Sequence, residues 1–142
     1  MIFVCIKKLL NTVQIIAFTH RQFNFDEIGL FHLDDKQRID ILTNLKTNLD
    51  IDELMYLSTC NRVEFIVSHE KKITKTFVEK LIKQLLAGQL PPNLKDIVDR
   101  AEIINSKAAV HHIFSVASSI DSLVVGEREK TVSYTHLRAH ET

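Results

Sequence analysis

The chain has 142 residues, 45% of them hydrophobic, and its 18 basic and 18 acidic residues balance to zero net charge. A chain of this length is expected to form one domain that buries about two-thirds of its unfolded surface. The charge balance lacks the basic excess that is typical of a dedicated nucleic-acid-binding module. Cys5 and Cys60 form no CxxC pair, so we expect a reduced, cytoplasmic protein without a disulfide framework.

The first ten residues, MIFVCIKKLL, are briefly apolar, and we expect an N-terminal strand or a ragged start there. The apolar stretch is too short to cross a bilayer, and its lysines follow it rather than precede it. We therefore expect neither a membrane span nor a signal peptide in this segment.

A β-branched and apolar run predicts the first strand, alternation of polar and apolar residues predicts the strand at 62–68, and apolar stripes at helical spacing predict the main helices. The predicted elements are a buried strand at 13–19, a short helical turn ending at Gly29, a helix capped at Asp34 or Asp35 and running to Asn48, strands at 53–58 and 62–68, a helix at 71–86, a helical turn at 93–98, a strand at 101–104, a helix at 107–118 capped by Ser106, and an apolar helical segment at 120–125. This order predicts an α+β fold, a ferredoxin-like β-α-β-β-α-β sandwich with extra helices.

The segment STCNRVE at 58–64 brings a thiol, a guanidinium and a carboxylate together in sequence. Cys60 lies at the bend between two predicted strands, and strand alternation places Cys60, Arg62 and Glu64 on one polar face. A nearby guanidinium favours the nucleophilic thiolate and offers a planar fork to a substrate carboxylate. The residues alone leave open a buried, inert cysteine beside a surface Arg–Glu ion pair.

This segment is similar to the cysteine motif of the glutamyl-tRNA reductases. A second block, VHHIFSVASSIDSLVVGERE at 110–129, resembles a later signature of that family, and FTHR at 18–21 more loosely resembles an early one. The resemblance implies that residues 1–130 form the N-terminal catalytic domain. Residues 131–142 depart from the family pattern, and we expect them to be an artefact or a disordered end.

The resemblance implies that Cys60 attacks the ester of glutamyl-tRNA, giving a thioester that NADPH reduces to glutamate 1-semialdehyde for tetrapyrrole and haem biosynthesis. Arg62 is then expected to bind the γ-carboxylate, and His112 to act as a general acid or base or to polarise the carbonyl. The other matched positions are Thr59, Ser122 and Glu127 as substrate-binding residues and Asn61, Glu64 and Gly126 as supporting residues. Glu64 is expected to hold Arg62 in place.

Other polar residues near these motifs are assigned weaker roles. His20 and Arg21 are expected to neighbour the site, and His111 to lie on the surface. Arg128 stands where many family members carry Gln or Pro, so no substrate contact is assigned to it.

None of the three glycines lies in a G-x-G-x-x-G loop after a strand, so NADPH is expected to bind through a domain absent from this chain. The chain alone is therefore not expected to complete the reduction. The resemblance further implies a homodimer for the full-length protein, with glutamyl-tRNA as the substrate and no membrane, DNA or metal partner. His136 and His140 alone are too few ligands for zinc.

A hypothesis of another class is a catalytically silent α+β module that binds RNA or protein and holds Cys60 as a buried structural residue. It predicts that Cys60→Ser leaves ligand binding unchanged. Five lysines in the predicted helix at 71–86 fit a phosphate-binding face or an ordinary solvated face.

Overall fold

The structure is a computed structural model that describes residues 2–118 and 133–137. The elements described are α1 (Ile2–Thr12), β1 (Val13–Thr19), α2 (Phe25–Gly29), α3 (Arg38–Asn48), β2 (Glu53–Thr59), β3 (Arg62–Ser68), α4 (Lys75–Leu85), α5 (Leu94–Arg100), β4 (Glu102–Asn105), α6 (Ser106–Ala117) and β5 (Ser133–Leu137). Helices and one antiparallel sheet share the described chain, so the α+β class is confirmed.

The strand order in the sheet is β4-β1-β3-β2-β5, and every neighbouring pair is antiparallel. β1 and β3 occupy the centre because a helical connection follows each of them before the chain returns to a flanking strand. This order is the ferredoxin-like arrangement expected from the sequence, which is confirmed. β2 and β3 are joined directly by a two-residue turn, since Thr59 pairs with Arg62.

Two terminal segments differ from their expected conformations. The first is helix α1, which contacts α6 and β3, where a strand or a ragged start was expected. Lys7 and Lys8 interrupt the alternation that a strand needs, whereas the apolar positions recur every three or four residues. The second is β5, which pairs with the outer edge of β2. It lies in the tail that was expected to be an artefact or a disordered end, and the departure of this tail from the family stays a prediction. The domain boundary at residue 130 stays a prediction.

Two predicted helices begin at other residues than expected. α4 begins at Lys75 because the Thr74 side chain accepts the N–H of Phe77 and so caps the helix there. α6 begins at Ser106, and its N-cap residue Asn105 makes no side-chain capping bond. Both helices otherwise cover the predicted segments.

The larger core lies between the sheet and α2 to α5 and is rich in aromatic rings. Phe18 stacks on Phe31 with ring centroids 4.0 Å apart and meets Phe65 edge-on. The buried Tyr56 hydroxyl donates to the Phe31 carbonyl at 3.0 Å and accepts the Leu33 N–H at 3.1 Å. Because the polar end of this ring is satisfied, the core contains the tyrosine without an unpaired hydroxyl.

The opposite face of the sheet is covered by α6 through small side chains. Ala109 of α6 forms one buried cluster with Ile15 and Ala17 of β1. Alanine side chains allow a helix to lie close to the strands beneath it. This close approach brings polar side chains of α6 within reach of the neighbouring strand β3.

Arg100, at the end of α5, ties the loop after β1 to helix α2. Its guanidinium donates to both carboxylate oxygens of Glu27, at 2.7 and 3.1 Å, and to the Gln22 carbonyl at 2.7 Å. The hydrogen bond from Arg100 lowers the pKa of Glu27, with a further contribution from the Asn24 N–H. Hydrogen bonding to Glu27 in turn raises the pKa of Arg100. This ion pair fixes the loop that leads from β1 into the region of the candidate site.

Glu27→Gln is expected to lower the free energy of unfolding at about pH 7 by roughly 0.5–1 kcal/mol, the upper range for partly exposed ion pairs. Because the folded-state pKa of Glu27 is lowered, this contribution is present above the ordinary pKa of a glutamate. It is lost as the pH falls through the folded-state value, so variant and parent should converge in acid. Urea unfolding at about pH 7 and about pH 3 measures the difference.

Asp26→Asn is the matched control, because Asp26 is an exposed carboxylate in the same first turn of α2. It should change stability less than Glu27→Gln does. A Glu27→Gln deficit of equal size at both pH values would contradict the assignment.

Candidate functional site

Cys60 lies on the exposed tip of the turn between β2 and β3. The pairing of Thr59 with Arg62 leaves only Cys60 and Asn61 in that turn. The Thr59 hydroxyl donates to the Asn61 side-chain oxygen at 2.6 Å, and the His20 backbone N–H donates to the Asn61 carbonyl at 3.0 Å. The thiol is therefore carried on a turn that hydrogen bonds hold from two sides.

The exposure of Cys60 bears directly on the alternative hypothesis, which assumed a buried structural cysteine. That assumption is wrong, because the side chain is at the surface. Cys5 is also exposed, so exposure alone does not single out a nucleophile. Cys60 differs from Cys5 in its neighbours along β3, where Arg62 and Glu64 follow it.

Glu64 joins Arg62 of β3 to His112 of α6. One of its carboxylate oxygens, Oε1, accepts from Arg62 Nη1 at 3.1 Å and lies 2.8 Å from His112 Nε2. An arginine N–H can only donate, so Oε1 is an acceptor, and His112 completes the arrangement by donating from Nε2. The geometry therefore assigns the proton of the imidazole to Nε2.

The Arg62–Glu64 pair is more deeply buried than alternation along the strand predicts. The side chains of Arg62 and Glu64 are only 4% and 1% exposed. Their assignment to one face is correct, because Val63 and Phe65 belong to the opposite, aromatic core. Alternation in RVEFIVS predicts a strand with one buried face and one face open to solvent. That prediction is wrong for β3, because α6 covers the polar face as well. A buried ion pair is tolerated only when direct contacts offset the loss of hydration.

Strand pairing places a second carboxylate in line with Glu64. Ala17 of β1 pairs with Glu64 on β3 and with Glu102 on β4. Paired residues share a face, so the two carboxylates flank Ala17 at a backbone separation of about 10 Å, two strand spacings. The adjacent row on this face is apolar and consists of Ile66, Ile15 and Ile104.

A solvent-open cavity of about 440 Å³ adjoins His112 on the β4 side of α6. Its walls include Arg21, Glu102, Ile104, Ala108, His111 and His112. Arg21 and His111 are exposed, as expected from the sequence for His111, whereas Glu102 is half-buried. Glu102 was not predicted from the sequence, because its alignment with Glu64 follows from the pairing of β4 with β1 and not from a local pattern.

Three buried polar atoms on the turn, on β3 and on the residue after β1 have no hydrogen-bond partner within residues 2–118 and 133–137. They are Nδ1 of His20, Nδ2 of Asn61 and Oε2 of Glu64. Buried polar atoms in proteins are usually paired, so each exception requires an explanation. Arg38 Nε and Asn105 Oδ1 are two further atoms of this kind. Asn61 belongs to the turn that carries Cys60, and His20 is bonded to that turn through its backbone.

The remaining expected site residues lie in the part of the chain that the structure does not describe. Ser122, Gly126 and Glu127 lie outside the described residues, and so does Arg128. Their contacts with a substrate stay predictions.

Within residues 2–118 and 133–137, no three His, Cys, Asp or Glu side chains are grouped so as to hold a metal ion. No helix in the same part of the chain has the length and apolar character needed to cross a membrane. Gly29 ends α2, and Gly88 follows α4. Neither lies in a strand-to-helix phosphate loop, so these described glycines do not fit the binding of NADPH.

The chain is similar to one family of known proteins. The family model described as "Glutamyl-tRNAGlu reductase, N-terminal domain" matches residues 16–131. A glutamyl-tRNA reductase from Nitratiruptor sp. is 38% identical over 122 residues, which cover 82% of this chain and 27% of that protein. One from Campylobacter hominis is 38% identical over 118 residues, which cover 80% of this chain and 26% of that protein.

The solved structure of a glutamyl-tRNA reductase from Methanopyrus kandleri has a similar fold. It matches with a TM-score of 0.59 at 20% identity, over 83% of this chain and 25% of that chain. At this identity the likeness shows the fold alone. The chain spans about a quarter of the length of the curated relatives, at 27% and 26%. On the family model and these identities, the chain belongs to the family of glutamyl-tRNA reductase N-terminal domains.

Proposed function

We propose that this domain forms a glutamyl thioester on Cys60, with glutamyl-tRNA as the acyl donor. The observation that carries the proposal is an exposed thiol on a hydrogen-bonded turn that leads directly into the buried Arg62–Glu64–His112 arrangement. The names of the relatives supply the substrate class. Covalent capture divides a difficult reduction of an ester into two easier steps.

In the proposed step, the thiolate sulfur of Cys60 attacks the carbonyl carbon of the glutamyl ester. A C–S bond forms, and the C–O bond to the terminal ribose breaks with its electron pair going to the ribose oxygen. That oxygen takes up a proton as the tRNA leaves, and the glutamyl group stays on the sulfur. His112 is the proposed carrier of that proton, because an imidazole exchanges protons near neutral pH. Its other ring nitrogen, Nδ1, takes the proton that leaves the Cys60 thiol and passes it to the ribose oxygen, while Nε2 stays hydrogen-bonded to Glu64.

Arg62 is proposed to recognise the γ-carboxylate of the glutamyl group. The α-carboxyl is consumed in the ester, so the γ-carboxylate is the free anion of the substrate. A guanidinium carries five N–H donors in a planar fork, and Nη1 serves Glu64. Burial strengthens the attraction between charges, so the guanidinium is expected to bind a carboxylate more tightly than the neutral amide of a glutaminyl group.

The other proposed contacts surround this pair. Thr59 lies opposite Arg62 on the adjacent strand, where its hydroxyl is close to the turn. Asn61 and Glu64 support the turn and the ion pair through the bonds described above. Ser122 and Glu127 remain proposed substrate-binding residues and Gly126 a supporting one, on the resemblance of their segment to the family signature.

The reduction itself is proposed to take place with the help of a further domain. NADPH is the expected reductant in the full-length protein, and glutamate 1-semialdehyde for tetrapyrrole and haem synthesis is the expected product. A homodimer and a cytoplasmic location belong to the same proposal. These parts rest on membership of the family and on no residue of this chain.

Incubation with glutamyl-tRNA is expected to add one glutamyl group to Cys60, which intact-mass spectrometry after an acid quench detects. Cys60→Ser should abolish the thioester, because a serine hydroxyl is a much weaker nucleophile than a thiolate. The free energy of unfolding should change by less than about 0.5 kcal/mol, because the side chain is exposed.

Cys5→Ser is the matched control, since it removes the other exposed thiol. It should form the adduct at the parent rate. An adduct that survives in Cys60→Ser and disappears in Cys5→Ser would reverse the assignment of the nucleophile.

Glu64→Gln is expected to slow thioester formation by roughly tenfold to a hundredfold, part of what general acid–base catalysis contributes. A neutral amide cannot balance the charge of Arg62, so the free energy of unfolding should also fall, by up to about 3 kcal/mol. Rates are compared at a temperature where circular dichroism shows both chains folded.

Glu70→Gln removes an exposed carboxylate in the loop after β3 and serves as the control. It should leave both the rate and the stability near those of the parent. A folded Glu64→Gln chain that reacts at the parent rate would show that the carboxylate does not position the reacting groups.

A further inference from the structure

We propose that the backbone N–H of Cys60 stabilises the oxyanion of the acyl transfer, and that His32 strengthens this N–H through the peptide that precedes it. The inference rests on the proposed function and adds to it a group for the charge that develops on the ester oxygen. The N–H contacts the reacting atoms, whereas His32 acts through the Thr59–Cys60 peptide and is a positioning residue.

His32, in the loop after α2, contacts the peptide on which the thiol depends. Its Nε2 lies 3.0 Å from the carbonyl oxygen of Thr59. A carbonyl oxygen can only accept a hydrogen bond, so Nε2 carries a proton and is the donor. Cys60 is the next residue along the chain. The imidazole is therefore bonded to one end of a peptide unit whose other end is the Cys60 N–H.

The exposed ring of His32 is held in place by its neighbours in the core. The Tyr56 hydroxyl bonds to the carbonyl of Phe31 at 3.0 Å and to the N–H of Leu33 at 3.1 Å, which fixes the backbone on both sides of the ring. Phe31 is fully buried and stacks on Phe18. Because this backbone is already ordered by the core, little conformational entropy is lost when the imidazole bonds to the turn.

The Cys60 N–H is available to a substrate oxygen. In the part of the chain that the structure describes, it donates to no acceptor, whereas the N–H of Asn61 approaches the Thr59 hydroxyl at 3.4 Å. Cys60 is exposed at the tip of the turn, where a substrate can approach. In acyl transfer, the N–H of the attacking residue is a common donor to the oxyanion, because it lies beside the atom that forms the new bond.

The two contacts are coupled through the dipole of the peptide unit. A trans peptide directs its C=O and N–H in opposite directions, and a donor on the oxygen makes the N–H a stronger donor in turn. A preorganised donor contributes a factor of about 10²–10³ to the rate, and a bond in such a chain is strengthened by about 10–30%. Because that percentage applies to the free energy, the His32 contact is expected to contribute about two- to eightfold in rate.

His32→Leu removes the donor and keeps a side chain of similar size, so it should slow thioester formation from glutamyl-tRNA about two- to eightfold. His32→Gln retains an N–H donor and should restore most of that rate. Single-turnover rates of the whole chain are measured by intact-mass spectrometry. His69→Leu is the matched control, because the His69 ring also bonds to a backbone carbonyl, that of Lys71 at 2.8 Å, in the loop after β3. It should react at the parent rate.

Alkylation by iodoacetamide distinguishes polarisation of the peptide from disorder of the turn. This reaction is a displacement at a saturated carbon and develops no oxyanion, so His32→Leu should be alkylated at the parent rate. Both reactions are followed in a Cys5→Ser background, which leaves Cys60 as the reacting thiol.

Three results would overturn the inference while the proposed function stands. They are a parent-like rate of thioester formation in His32→Leu, equal slowing of alkylation and thioester formation in that variant, and a His32→Gln chain that reacts as slowly as His32→Leu. A parent chain that forms no thioester with glutamyl-tRNA would overturn the proposed function and the inference with it.

Discussion

One carboxylate oxygen, Oε1 of Glu64, contacts both of the cationic or basic groups on which the proposed chemistry depends. It accepts from Arg62 at 3.1 Å and lies 2.8 Å from His112. Burying a carboxylate and a guanidinium is costly unless each finds a partner. Replacing Arg62 or Glu64 alone would therefore leave the other with an unmatched buried charge. The same contact connects the sheet to α6. The proposed substrate recognition and proton transfer, like the packing of α6, therefore depend on one side chain.

That contact requires α6 to lie close to the sheet, and small side chains make this possible. Ala109 and Ala17 occupy the interface where larger residues would separate the two elements. The turn that carries Cys60 is held from the other direction, by the His20 backbone and by Thr59. The thiol is therefore exposed on a turn held by hydrogen bonds, while Arg62 and Glu64 farther along β3 are buried.

The alternation of RVEFIVS was enough to predict a strand and to separate its polar side chains from its apolar ones. Period-two spacing is local, so it gave no information on whether another layer would cover the polar face. Burial of Arg62 and Glu64 follows from the docking of α6, a contact 48 residues away in sequence between Glu64 and His112. The position of Glu102 was hidden for the same reason, since only the pairing register of β4 with β1 aligns it with Glu64. Long-range register, rather than local propensity, separates what could be predicted from what could not.

The central claim is that Glu64 accepts a hydrogen bond from Nε2 of His112 and so fixes the imidazole. Nitrogen-15 NMR of the histidine rings tests it most directly, because the shift of each ring nitrogen reports whether that nitrogen carries a proton. The hydrogen bond between Glu64 and His112 predicts a protonated Nε2 on His112, and the resonance of this nitrogen should move in the Glu64→Gln chain. A His112 ring with its proton on Nδ1 alone, or with shifts that Glu64→Gln leaves unchanged, would contradict it.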